Sequence, residues 1–99
     1  MNQQQTKYYV IYNKIKKLYV EDTTKYFEKP EYSHIFDKNY AQVWTQASVG
    51  RARRQYCKLM GISLADVSVI EVDEQTYLSY KERIKIEERL EKYDRSLRG

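Results

Sequence analysis

Arg51, Arg53, Arg54 and Lys58 stand within eight residues, inside the stretch GRARRQYCKLMG from Gly50 to Gly61. The chemistry of such a cluster is anion recognition. A planar guanidinium binds a phosphate or carboxylate through two parallel hydrogen bonds and stacks on flat rings, which an ammonium cannot do. On a helix, Arg51, Arg54, Gln55 and Lys58 fall at i, i+3, i+4 and i+7, one stripe, with Arg53 at its border. Val49, Ala52, Tyr56, Leu59 and Met60 form the apolar stripe that such a helix would bury. No carboxylate occurs between Asp37 and Asp66 to neutralise the cluster. A second basic group, Lys14, Lys16 and Lys17, lies in the segment NKIKK. Three readings fit this pattern: a solvated helix face, a surface for an acidic protein, or contact with RNA or single-stranded nucleic acid, where basic residues interleaved with aromatics are the usual composition.

Other reactive residues are sparse. His34 is the only histidine and Cys57 the only cysteine. The spacing places Cys57 on the same helix as Arg53 and Arg54, where the small buried hydrophobe is the commoner role. Glu71, Asp73 and Glu74 could face a cation, but acids at this point also suit the positive end of a following helix. Only three glycines are present and no glycine-rich phosphate loop. The expectation is a non-enzymatic protein with no cofactor and no metal site.

These residues sit in a chain of 99 amino acids, enough for one domain. The net charge is +4, unevenly spread: residues 1–20 and 51–58 each carry +4, while 60–80 carry −4. Eleven tyrosines against two Phe and one Trp make the aromatic content almost wholly amphipathic. A single cysteine excludes an internal disulfide. No apolar run approaches the roughly 18 residues that cross a bilayer, and MNQQQTK lacks the apolar region of a signal peptide. The expected location is cytoplasmic, with no membrane partner.

KYYVIYN, Lys7–Asn13, is apolar on both alternating sets and predicts a central strand. After the basic turn, LYVED, Leu18–Asp22, returns as a second strand. Residues 22–38 follow neither period and read as a long irregular loop whose aromatics fold back. NYAQVWT, Asn39–Thr45, predicts a third strand, and Ser48 is placed to cap the basic helix, which Gly61 ends. Asp66–Val72 is the fourth strand. Thr76 then opens a long helix to residue 97, in which Ile86, Leu90, Tyr93 and Leu97 form a stripe suited to a homodimer seam. Glu88–Lys92, Glu91–Arg95 and Asp94–Arg98 are oriented as stabilising i,i+4 pairs. The order ββ-loop-β-α-β-α predicts an α+β domain, a mostly antiparallel sheet with two helices.

KYYVIYN with its basic turn and LYV, QVWTQASVGRARRQY over residues 42–56, and DVSVIEVDE over residues 66–74 resemble small accessory proteins of tailed bacteriophages. The 22–38 segment and the long C-terminal helix fall outside that pattern. The resemblance implies a phage early protein in the cytoplasm of the infected bacterium, binding and inhibiting a host or defence factor. Some similar proteins are basic RNA binders that counter defence. No catalytic residue carries over. The other expectation is a protein-only inhibitor or adaptor, docking through tyrosines and the 22–38 loop.

Overall fold

A computed structural model describes residues 6–24 and 29–98, with side chains through residue 92. The chain forms β1 (Tyr8–Asn13), β2 (Leu18–Asp22), β3 (Tyr32–Ile35), β4 (Trp44–Thr45), α1 (Gln46–Met60), β5 (Val67–Val72) and α2 (Glu74–Arg98). Short 3-10 turns occupy Lys38–Tyr40 and Leu64–Asp66. This is the α+β architecture expected: one small antiparallel sheet and two helices, the C-terminal one long.

β1 is the centre of the sheet. On one edge it pairs with β2 through Tyr12–Tyr19 and Asn13–Leu18, and with β4 through Tyr8–Thr45 and Tyr9–Trp44. On the other edge all six of its residues pair with β5. Its doubled apolar pattern predicts this central place, and each set meets a different core. Ile11, with Val20, Trp44, Val49, Tyr56, Cys57 and Val67, packs under α1. Val10, with Ala41 and Val43, packs on the opposite face, where Tyr77 and Tyr80 of α2 cover it. Tyr8 stacks on Tyr77 with ring centroids 4.0 Å apart, which ties the start of β1 to the first turn of α2.

Several local expectations are corrected. The 22–38 segment is not irregular throughout, because Tyr32–Ile35 pairs with β2 as an edge strand. Thr24 closes the connection through its hydroxyl, which accepts from Glu31 N–H and donates to Glu31 C=O. Pro30 stands just before the strand, where its missing N–H costs no ladder bond. Tyr26 and Phe27 lie outside the described residues. The third expected strand shrinks to Trp44–Thr45, because Asp37 caps a 3-10 turn at Lys38–Tyr40 and uses up its first half. Thr45, not Ser48, is the N-cap residue of α1. Ser48 reaches back, its hydroxyl 3.1 Å from that of Thr45. α2 begins at Glu74 rather than Thr76, and Asp73 caps it: its Oδ1 accepts from the Thr76 N–H at 2.8 Å and hydroxyl at 2.6 Å. These hydrogen bonds hold the Asp73 carboxyl below its usual pKa. Gly61 ends α1 in the left-handed conformation, φ 68°, as expected.

Candidate nucleic-acid interface

α1 divides its residues between the core and solvent. Val49, Tyr56 and Cys57 are buried and Ala52 and Met60 half-buried against the sheet. Leu59 was expected in this set but is 51% exposed, and Cys57 takes its place on the packed arc. The Cys57 thiol points to the Ser63 carbonyl, and burial pushes its pKa up, against the nearby Arg53. It is a packing residue rather than an activated thiolate.

Arg51, Arg54, Gln55 and Lys58 are all exposed on the outward side. The stripe from Arg51 to Lys58 spans about 10 Å of helix. Arg54 lies back over Gly50, its Nη1 3.5 Å from where a Cβ would stand. Among the described residues no carboxylate comes within ion-pair distance of Arg51, Arg54 or Lys58; the ion pair present, Lys7–Glu71 at 3.8 Å, is elsewhere. Arg53 behaves differently. It turns toward β5, donating from Nε to the Val67 carbonyl at 3.2 Å and from Nη2 to the Leu64 carbonyl. It is half-buried and clamps the helix to the sheet edge, so three of the four clustered cations remain for an external anion.

The turn lysines are placed by Asn13. This residue is 1% exposed. Its Oδ1 accepts from the N–H groups of Ile15 and Lys16, closing the turn. Its Nδ2 donates to Tyr56 Oη at 2.8 Å, and Tyr56 Oη is 2.6 Å from His34 Nε2. The hairpin end, the C-terminal half of α1 and the β3 edge thus meet in one polar chain. Burial, and then the charge of Lys16, hold the His34 imidazole below its ordinary pKa. Lys14 is anchored like Arg53, its Nζ donating to the Ala65 carbonyl at 3.1 Å. Lys16 and Lys17 are exposed.

The aromatics expected beside the cations are largely engaged within the molecule. Tyr32 packs edge-on against Tyr56, Tyr12 against Tyr19, and Tyr8 on Tyr77. Among the described tyrosines only Tyr40 is exposed, and it faces Arg83 on the α2 side of the sheet. Sequence reasoning missed this because hydropathy does not say which tyrosines pair. An open cleft of about 470 Å³ between β1 and the start of α2 carries Glu71, Asp73 and Glu74 against Lys7, a setting that repels a polyanion. Among the described residues no three His, Cys, Asp or Glu side chains group as metal ligands.

Along α2, Ile86 is 48% and Leu90 64% exposed. Tyr93 and Leu97 lie outside the residues with described side chains. Glu88 and Lys92, expected to form a stabilising pair, form no ion pair; for two solvated chains the attraction is offset by lost side-chain freedom. The Glu91–Arg95 and Asp94–Arg98 pairs also fall outside the described side chains. Among the described residues no helix is long and apolar enough to cross a membrane. Compared with protein-family models, curated proteins and solved structures, the chain finds no match in any of the three.

Proposed function

We propose that this protein is a non-enzymatic binding protein whose α1 face contacts the phosphates of RNA or single-stranded nucleic acid. The observation that carries this reading is the division within α1: Arg51, Arg54 and Lys58 are exposed and unneutralised on a helix whose other side is fixed to the sheet. Lys16 and Lys17 extend the basic surface at the hairpin end. Few aromatics are available to stack on bases, so affinity comes from charge and depends little on base sequence. The resemblance to phage accessory proteins adds a role, inhibition of a bacterial host or defence factor through this contact, in the host cytoplasm.

Fluorescence anisotropy with a labelled single-stranded RNA tests the contact. Three phosphate contacts give a slope of log K against log salt of about −2, and five about −3.5. Changing Arg51, Arg54 and Lys58 together to Ala is expected to flatten this slope and weaken all sequences alike. Wild-type affinity in that variant overturns the reading.

One observation favours a protein-only partner: Phe36, in the segment after β3, is 85% exposed. Under that reading a partner captured from nuclease-treated lysate is retained, and Phe36→Ala releases it. Under the nucleic-acid reading, nuclease treatment removes the partner.

A further inference from the structure

We infer that β5 is the seam of a homodimer in which two sheets join edge to edge. β5 is an edge strand: it pairs with β1, and among the described residues no strand pairs with its other side. Its sequence, VSVIEV, is β-prone, with a single charge, Glu71, and no proline, glycine or lysine. Edge strands ordinarily carry several charges, lysine above all, or proline to prevent pairing, and β5 has one charge in six residues.

The alternation of an antiparallel ladder fixes which backbone groups are free. The Lys14 N–H donates to the Asp66 carbonyl, so the even-numbered residues of β5 face β1. Val67, Val69 and Glu71 therefore direct their N–H and C=O groups outward. The Val67 carbonyl is already taken by Arg53, which leaves Val69 and Glu71. These two are self-complementary. A two-fold axis through Ile70, perpendicular to the sheet, sets Val69 of one copy against Glu71 of the other and forms two mutual backbone pairs.

Charge selects this antiparallel arrangement and a second copy as its occupant. One end of the edge is basic, with Arg53 at Val67. The other is acidic, with Asp73 and Glu74 exposed beside the Lys7–Glu71 ion pair. Reversing a second copy brings each acidic end beside the other's Arg53. The helices do not block the approach: α2 leaves β5 at Asp73 and crosses the opposite sheet face, bonding through Arg83 to the Asn39 and Tyr40 carbonyls. Because the axis is perpendicular to the sheet, both α1 helices lie on one face of the joined sheet.

Light scattering on nuclease-treated protein, without nucleic acid, reads the outcome independently of the proposed function. The expected mass is twice the 12.0 kDa chain. Val69→Pro removes an outward donor and is expected to give a monomer with unchanged far-UV circular dichroism. If that variant does not fold, cross-linking decides. In a Cys57→Ser background, Ile70→Cys sits on the axis and is expected to form a covalent dimer under mild oxidation, while Ser68→Cys, two residues off the axis, does not. A monomer at sub-millimolar concentration overturns the inference. So does equal cross-linking at the two positions, or a dimer abolished by Ile86→Lys with Leu90→Lys but kept in Val69→Pro.

Discussion

Tyr56 shows how one side chain can serve both core and surface. Its ring is fully buried, and its hydroxyl joins Asn13 to His34. Tyr56→Phe keeps the packing but strands the Asn13 amide in the core, an expected loss of about 1–3 kcal/mol by urea denaturation. Asn13 donates to Tyr56, whose hydroxyl lies 2.6 Å from Nε2 of the neutral His34. Its folded pKa is below that of the unfolded chain, so the unfolded state takes up the proton first. Stability from this group is complete above about pH 6.5 and falls as pH drops from there toward the folded pKa. Denaturation midpoints between pH 7 and 5 should show that decline, and His34→Gln should remove it. The periodicity made Tyr56 legible as a packed residue. Its partners were not legible, because they come from positions 43 and 22 residues away.

At the level of elements, the two neighbouring arginines separate clamp from contact. Arg53→Met loses its donors to two backbone carbonyls and is expected to cost about 1.5–3 kcal/mol, the range for hydrogen bonds from charged groups. Arg51→Met, on the free face, should stay within about 0.5 kcal/mol in the same denaturation series. Lys17 occupies the left-handed region at φ 58°. Lys17→Gly relieves that strain and is expected to raise stability by up to about 1 kcal/mol, measured by thermal melting. α1 was readable almost residue for residue, since its period runs unbroken into Gly61. β3 was not, because YSHI carries no clear alternation and is a strand by virtue of pairing with β2. The helix starts moved for a related reason: Thr45 competes with Ser48 for the cap of α1, and Asp73 opens α2 ahead of Thr76, and only the strand ends decide between them.

Over the whole molecule, the sheet's centre was legible from the doubled apolar pattern of β1, whereas the placement of the tyrosines depended on long-range packing. Tyr80 illustrates the result. Burial, with Glu21 adding to it, pushes its pKa up to about 12. The unfolded chain ionises near pH 10, so Tyr80 contributes stability fully below pH 10 and loses it as pH rises beyond that. Alkaline difference spectroscopy should show a late-titrating phenol that Tyr80→Phe removes. The position of β1 also has a consequence during synthesis. β1 gains its six-residue partner only after residue 72 has been made. A nascent chain stalled before Val67 carries β1 with one flank bare, so arrest within α1 is the stage of translation at which a holding chaperone would be most needed.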